Sequence, residues 1–339
     1  MKNLKRIIAS VLTVALMLIG AACTTEKPDT SSSSVPATVE KAKVTVTALK
    51  GPTGIGMVKL MADDDADTAA NDYAFNIAGA PEDVAASVIK GEVDIAAVPV
   101  NLAATLYNKT EGKYVVCGIN TLGVLYMLDT TNTINSVEDL RGKKIYATGQ
   151  GSTPEYILRY VLSKNNIDPD RDVTLEFVTE HAELVSLMAA GKAEIALLPE
   201  PNATTTLMST TGARRALNMT EEWNKISTDG SKVVQGCIIA KKEFLDTNPD
   251  AYDSFINEYT ASVKYVNEST KEASAVVEKY GIVPKAAIAE KAIPNCNITL
   301  ITGEEMKNTL SPFLKVLFDY NVKSVGGKLP DDSFYYIGK

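Results

Sequence analysis

One segment of the sequence occurs twice, 100 residues apart. Residues 90–99 read Lys-Gly-Glu-Val-Asp-Ile-Ala-Ala-Val-Pro, and residues 190–199 read Ala-Gly-Lys-Ala-Glu-Ile-Ala-Leu-Leu-Pro. In each copy glycine ends a helical stretch, and the apolar run after it has the length of a buried strand that proline terminates. This order is half of a parallel α/β unit. The repeat therefore predicts two similar α/β lobes, which also suits 339 residues, more than one core usually serves.

A strand, a glycine-bearing loop and a helix precede each copy. Residues 44–49 lead into a loop at 51–56, and residues 144–147 lead into a loop at 149–153. Such loops lie at the carboxyl edges of open α/β sheets, where ligands bind. The helix that follows each loop presents unpaired NH groups and a partial positive charge. Two such edges facing each other would form a cleft for a small solute.

The first 22 residues have the features of a secretory signal. Basic residues are followed by an apolar run at 7–19, too short to indicate a membrane span, and then by small residues before Cys23. This cysteine is similar to the lipidated cysteine of bacterial lipoproteins. Gly20 stands where that pattern usually has Leu, so simple cleavage of an exported chain stays open. Residues 23–42 are predicted to be a flexible tether.

Charge and cysteine content exclude several functions. The net charge is −8, or −11 without the three basic residues of the signal, so nucleic acid is not an expected partner. Cys117, Cys237 and Cys296 lie far apart and form no Cys-x-x-Cys pair, so we expect no metal site. They are predicted to be buried thiols. A disulfide between Cys117 and Cys237 stays open, because export permits one.

Taken in order, these motifs resemble the substrate-binding proteins of ABC importers. The branch is the nitrate/sulfonate/taurine and thiamine-precursor-like one, with the type II periplasmic-binding fold. The likeness runs from residue 43 to the C-terminus. The segments that carry it are 91–96, 136–145, 149–162, Glu200-Pro201, 242–245 and 329–334.

The resemblance implies a two-lobed α/β (Venus-flytrap) fold, in which each lobe is a mostly parallel sheet flanked by helices. Lobe 1 is expected from residues 43–127 and 238–339, and lobe 2 from residues 128–237. A two-strand hinge is expected near 121–130 and 233–240. A long helix over 249–277 would brace lobe 1.

The resemblance also implies how the protein works. A solute would contact both lobes only when they close, and a membrane permease with its ATPase subunits would recognise the closed form. The expected protein is a monomer without a cofactor, anchored to the membrane by lipid on Cys23 at the extracytoplasmic face. An exported sensor with the same clamshell and no transporter is the alternative.

Candidate ligand contacts lie in the two loops, after the two repeated strands and at the hinge. A tight turn or helix cap is the alternative for the loops. A structural hydrogen bond is the alternative for Glu200, since an unpaired buried acid is costly. The candidates are Lys50, Gly51, Pro52, Thr53 and Gly54; Gln150, Gly151, Ser152 and Thr153; Asn101, Glu200, Pro201 and Asn202; and Asn120, Tyr126 and Gln235.

Other signals have simpler interpretations. Residues 63–67 lack the Gly and Glu of a calcium loop, and residues 51–56 match no nucleotide-binding motif. Arg214 and Arg215 are predicted to be solvated. His181, the one histidine, is predicted to be exposed in the first turn of a helix.

Enzymatic activity is not expected, because no activated nucleophile accompanies that histidine. An enzyme of the same fold that makes a pyrimidine-type product is the last alternative. The solute class stays open: Lys50 and the helix N-termini favour an anion, whereas Glu200 and Tyr126 favour an amine or an aromatic heterocycle.

Overall fold

The computed structural model describes residues 40–228 and 230–338, and Lys41–Lys339 form one compact unit. The predicted signal, Cys23 and residues 23–39 of the predicted tether lie outside the described residues. The strands are β1 (Lys43–Leu49), β2 (Asp72–Ala78), β3 (Ile95–Pro99), β4 (Tyr114–Leu122), β5 (Leu125–Asp129), β6 (Lys144–Ala147), β7 (Thr174–Phe177), β8 (Ile195–Pro199), β9 (Arg214–Asn218), β10 (Val234–Lys241) and β11 (Ile298–Ile301).

Thirteen α-helices of the described residues flank the strands, together with four 3-10 turns. The helices are α1 (Pro52–Ile55), α2 (Val58–Asp65), α3 (Pro81–Lys90), α4 (Val100–Lys109), α5 (Thr153–Lys164), α6 (His181–Ala189), α7 (Asn202–Ser209), α8 (Met219–Ile226), α9 (Lys242–Thr247), α10 (Pro249–Glu268), α11 (Thr270–Lys279), α12 (Ala286–Ala292) and α13 (Gly303–Tyr320). The 3-10 turns are Val137–Leu140, Ile293–Asn295, Val322–Val325 and Asp332–Phe334.

The strands form two sheets of matching topology. The first has the order β2-β1-β3-β10-β4-β11, and the second has the order β7-β6-β8-β5-β9. In both, the strand that arrives from the other half, β10 or β5, is inserted antiparallel between its two neighbours. The repeat in the sequence is thus a repeat of the fold.

The sheets are more mixed than the predicted mostly parallel arrangement. Only β2-β1-β3 and β7-β6-β8 pair in parallel, whereas every pair that involves β10, β5 or β11 is antiparallel. The inserted strand is antiparallel to its neighbours because it enters the sheet at the end where the parallel strands finish, which is the end that faces the other half. The prediction overlooked this consequence of a chain that crosses twice.

Both crossings fall earlier than the predicted lobe boundaries at 127/128 and 237/238. All of β5 pairs within the second sheet, so the first crossing lies at residues 123–124. All of β10 pairs within the first sheet, so the second crossing lies between α8 and Val234. Each predicted boundary therefore falls inside a strand.

The repeated glycines end α3 and α6 in the same way. Gly91 and Gly191 have φ of 74° and 66°, a left-handed conformation that glycine adopts without strain. Their NH groups donate to the carbonyls of Val88 and Met188, both at 3.0 Å. The following strands, β3 and β8, are buried up to their final proline. The order of helix, left-handed glycine, buried strand and proline is therefore the same in both halves.

One predicted element is wrong: the long helix over 249–277 is two helices. α10 ends at Glu268, and Ser269 has φ −120° and ψ 50°, which is outside the helical region. α11 starts at the next residue. The apolar periodicity continues through the break, so the pattern alone did not show it.

The three described cysteines are buried free thiols, as predicted, and the Cys117–Cys237 disulfide is not formed. Burial raises the pKa of Cys117 to about 12. No helix among residues 40–228 and 230–338 combines the length and the hydropathy of a membrane span.

Candidate functional site

The two glycine loops face the opposite halves of the molecule and contact them. Thr153, in the second half, donates a hydrogen bond from Oγ1 to Oδ1 of Asn101, in the first half, at 3.0 Å. Gly51, in the first half, faces Pro201 of the second, whose Cδ would lie 3.9 Å from a β-carbon added at Gly51. Four sequence-predicted site residues of the two halves therefore lie close to one another.

The first loop is buried and leaves no room for larger residues. Gly51 has φ 95°, and the Thr53 hydroxyl donates back to the carbonyl of Leu49 at 3.0 Å. A β-carbon on Gly54 would lie 2.6 Å from that same carbonyl oxygen. Lys50 is exposed, and Pro52 is the first residue of α1.

The second loop is more open and is fixed by side chains. The Ser152 hydroxyl donates to the carbonyl of Gly149 at 2.6 Å, so it sits at the N-cap position of α5 without capping the helix. The NH of Gly151 donates to a carboxylate oxygen of Glu155 at 2.6 Å. Gln150 and Gly151 are exposed.

Strands β4 and β10 and helix α8 carry buried polar atoms without partners near the two crossings of the chain. Asn120 is 0% exposed, and neither atom of its amide has a hydrogen-bond partner. The same holds for Oγ1 of Thr121 and Thr220 and for Oε1 of Gln235. Buried polar groups without partners are rare, and each costs about 1–3 kcal/mol. These atoms can form hydrogen bonds with a solute.

Close packing fixes the position of Asn120. A β-carbon on Gly236 would lie 2.6 Å from its Oδ1 and 2.9 Å from Cγ2 of Thr53. The hydroxyl of Tyr259 lies beside the amide and likewise has no partner of hydrogen-bond geometry. Thr53 of the first loop thus packs with Asn120 and Thr121 around Gly236. We define the hinge floor as the residues Asn120, Thr121, Thr220 and Gln235.

Glu200 is buried in an ion pair rather than free at the cleft. Its carboxylate contacts the guanidinium of Arg215 and accepts the NH of Thr204 at 3.0 Å. The same guanidinium lies 5.1 Å from the ring centroid of Tyr126, whose hydroxyl donates to the carbonyl of Asn295 at 3.1 Å. Burial, with the charge of Glu200, raises the pKa of Tyr126 to about 12.

The prediction that Arg214 and Arg215 are solvated is wrong. Arg214 pairs with the fully buried carboxylate of Asp129 at 3.0 Å. Burial alone would raise the pKa of Asp129, but hydrogen bonds from Thr131, from the NH of Ile134 and from Arg214 lower it below its ordinary value. Adjacent arginines on an edge strand carry no sequence signal for this role, because their acids lie in other segments of the chain: Asp129 ends β5, and Glu200 follows β8.

The prediction that His181 is an exposed first-turn residue is also wrong. The residue is half-buried, and its Nδ1 lies 2.7 Å from Oγ1 of Thr148. Burial lowers the pKa of the ring. Thr148 follows β6 directly, a position that the sequence analysis left without a role.

Asn202, the remaining predicted contact, is the half-buried first residue of α7. Two cavities of the described residues lie away from the cleft. One, of about 330 Å³, is lined by residues that include Cys117 and Tyr252, and the other, of about 460 Å³, by residues that include Lys109 and Lys113.

Comparison with known proteins assigns this architecture to a family. The model of the NMT1-like family matches residues 76–280, which is more than half of the chain. The chain belongs to the NMT1-like family. This family assignment covers most of both sheets and the whole of the second glycine loop.

Solved structures give the same result. An ABC transporter protein from Parabacteroides distasonis is 25% identical, with a TM-score of 0.74 over 87% of this chain and 99% of that one. The periplasmic aliphatic sulphonate binding protein SsuA of Escherichia coli is 14% identical, with a TM-score of 0.68 over 88% of this chain and 95% of that one. The fold is therefore the type II periplasmic-binding fold, as expected.

A curated relative, "Putative binding protein YtlA" of Bacillus subtilis (strain 168), is 25% identical over 188 residues. The match spans 44% of this chain and about half, 55%, of that protein. The Escherichia coli and Bacillus subtilis relatives of this NMT1-like chain are described as binding proteins, and the Parabacteroides distasonis relative is described as an ABC transporter. Their likeness to this chain supports a binding role.

Proposed function

We propose that this protein is an extracytoplasmic solute-binding lipoprotein that captures a small polar organic solute between its two halves and delivers it to an ABC importer. Its anchor would be the lipid on Cys23, and its partners would be the permease and ATPase subunits. We further propose that it acts as a monomer, with the two sheets and their helices as its lobes.

The hinge floor is the observation that carries this proposal. Asn120 is buried with both amide atoms unpartnered, and unpartnered oxygens of Thr121, Thr220 and Gln235 accompany it. A closed cleft with these groups inside gains several hydrogen bonds when a solute replaces the missing partners. Ligand binding would then favour the closed form over the open one.

The chemistry of these groups favours a solute with both donors and acceptors. The amide of Asn120 offers one of each, and the two threonine hydroxyls can serve as either. The buried carboxylate of Glu200 is neutralised by the half-buried guanidinium of Arg215. The described cleft residues therefore favour an uncharged hydrogen-bonding group on the part of the solute that faces the hinge.

A solute screen on the full-length chain tests the proposal. Melting temperature would be measured with cytosine, ethanesulfonate, nitrate, glutamate and putrescine, followed by calorimetry for each compound that raises it. A true ligand raises the melting temperature further as its concentration rises. If none of these compounds does so, and the chain instead hydrolyses a chromogenic ester, the binding function is wrong.

A variant of the hinge makes the screen specific. Asn120→Ala should reduce affinity about tenfold or more, because one hydrogen bond to a buried group contributes about 1–1.5 kcal/mol. Asn76→Ala, an exposed asparagine at the far edge of the first sheet, is the matched control and should bind as wild type does. Equal affinity of both variants would place the solute elsewhere.

Anchoring and delivery need separate tests. Incorporation of labelled palmitate into the wild type, but not into Cys23→Ser, is the result expected for a lipoprotein. Uptake of the bound solute by cells should fail when the gene of this chain is deleted. A sensor kinase gene beside it, with uptake unchanged, would favour the sensor alternative.

A further inference from the structure

The only histidine in the sequence contacts the segment that leads into the second glycine loop. His181 is the first residue of α6, and its Nδ1 lies 2.7 Å from Oγ1 of Thr148. Thr148 is 1% exposed and immediately precedes Gly149. Among the residues that the structure describes, His181 is the side-chain partner of this hydroxyl. The buried hydroxyl therefore depends on the ring for its hydrogen bond.

A short series of contacts connects Thr148 to the cleft. The carbonyl of Gly149, the next residue, accepts the hydroxyl of Ser152 at 2.6 Å. Ser152 is followed by Thr153, which donates to Asn101 across the cleft. A shift of the backbone at Thr148 would therefore displace the atoms that meet the opposite half.

The surroundings of the ring favour its neutral form. Burial lowers the pKa of His181, and the positive end of the α6 dipole acts in the same direction. The negative charge of Glu180 opposes both. Among the described residues, the two elements with the most extensive packing against α6 are α7 and β8, and neither carries a titratable side chain. The remaining titratable groups of α6, β6 and β7 are Glu183, Tyr146 and the Lys144–Glu176 pair.

We propose that His181 is a positioning residue for the second glycine loop: its neutral ring holds Thr148, and protonation of the ring releases the loop and weakens solute binding. This inference rests on the proposed function, because it assigns the loop to the solute site. It makes the affinity of that site for its solute dependent on pH.

The mechanism follows from the two ring nitrogens. In the neutral ring with the proton on Nε2, Nδ1 accepts the proton of the Thr148 hydroxyl. In the protonated ring Nδ1 also carries a proton and can only donate. The hydroxyl of Thr148 must then rotate, and its own proton is left without an acceptor in a buried position. Residues 148–153 must rearrange before the hydroxyl of Thr148 can donate to another acceptor.

A proton titration of the ligand-free, full-length chain by NMR tests the coupling. The single histidine gives one ring signal, so the assignment is unambiguous. Between pH 7.5 and 5, the amide signals of Gly149 and Gly151 should shift with the same midpoint as the ring, below 6.5. Glu180→Gln should move both midpoints to lower pH. Loop signals that do not follow the ring would overturn the inference.

Two variants separate positioning from mere structure. His181→Asn places an amide oxygen near the position of Nδ1 and does not titrate, so the loop signals should resemble wild type at pH 7.5 and stay unchanged at pH 5. Thr148→Val removes the hydroxyl and should abolish the shift of the loop signals while the ring still titrates. Loop titration that persists in His181→Asn would contradict the proposal.

Binding supplies the functional test, with cytosine and ethanesulfonate as the probes. Whichever of them binds the wild type at pH 7.5 should bind about three- to fivefold more weakly at pH 5.5, because a one-unit difference in the pKa of the ring between bound and free protein gives the full tenfold only below both pKa values. His181→Asn should lose this dependence. Equal pH dependence in both proteins contradicts the inference. If neither probe binds at pH 7.5, the solute assignment fails for these probes, and the titration still decides the coupling.

Discussion

The two halves share one topology but are stabilised differently. In the first half, strand β4 carries no charged residue, and β11 pairs with it along the outer edge. The corresponding strand of the second half, β9, forms an edge and carries Arg214 and Arg215, which pair with buried carboxylates. The duplication has preserved the order of strands, whereas each half has acquired its own stabilising contacts.

The two glycine loops also differ in what holds them in place. The first, around Gly51 and Gly54, is buried and shaped by close backbone contacts. The second, around Gly151, is exposed and shaped by side chains: the Ser152 hydroxyl donates to the carbonyl of Gly149, and the Glu155 carboxylate accepts the NH of Gly151. Side-chain hydrogen bonds can be exchanged at lower cost than packed backbone. We therefore expect the second loop to be the more adjustable of the two.

The largest effect is expected from the buried ion pair of the second half. Arg215→Met leaves Glu200 buried without its partner and should lower the free energy of unfolding by about 3 kcal/mol or more. Urea denaturation measures it. Arg141→Met removes the exposed pairs with Glu138 and Asp172 and should cost about 1 kcal/mol or less. Equal losses for the two variants would mean that the buried pair contributes nothing special.

Alanine substitutions compare the two glycine loops directly. Gly54→Ala brings a β-carbon 2.6 Å from a backbone oxygen and should destabilise the protein by about 2–3 kcal/mol. Gly151→Ala meets open space and has only the strain of φ 73°, about 1 kcal/mol. Thermal unfolding of both variants gives the order. A larger loss for Gly151→Ala would reverse our comparison of the loops.

The hydrogen bond between the halves should have a smaller effect. A double-mutant cycle with Asn101→Ala and Thr153→Val should give a coupling energy of about 1 kcal/mol, the usual value for one such bond. A coupling near zero would show that Thr153 and Asn101 do not interact in solution.

The smallest effect is expected where Tyr126 meets Asn295. Tyr126→Phe keeps the ring beneath Arg215 and removes only the hydroxyl, so about 0.5–1 kcal/mol should be lost. Denaturation curves of this variant and of wild type measure it. A loss above that of Arg215→Met would mean that the hydroxyl, rather than the ion pair, stabilises this cluster.

Particular residues show how far the sequence could be interpreted. Glycines and prolines at the ends of the repeated segment act locally, so Gly91, Pro99, Gly191 and Pro199 predicted the ends of helices and strands correctly. The break at Ser269 escaped because apolar spacing continues across it. His181 was misjudged because its partner, Thr148, is 33 residues away.

The candidate site likewise has features that the local sequence predicts and features that depend on distant contacts. The loops and the hinge were proposed from the edge at which strands end, and the structure brings Thr153 to Asn101 and Pro201 to Gly51. Their binding of a solute remains a proposal. The sequence could not show whether the charge of Glu200 is free or paired, since its partner Arg215 lies on β9, 15 residues further along the chain.

The sequence alone determined the duplicated α/β architecture, because hydrophobic periods and the φ preferences of glycine and proline act over a few residues. Only the tertiary structure decided which polar groups are satisfied. Asn120 is left without partners, while Glu200, Arg214 and His181 obtain theirs from segments distant in sequence. A hydrogen bond or an ion pair requires atoms within about 3 Å, and the chain establishes such distances only when its sheets have packed.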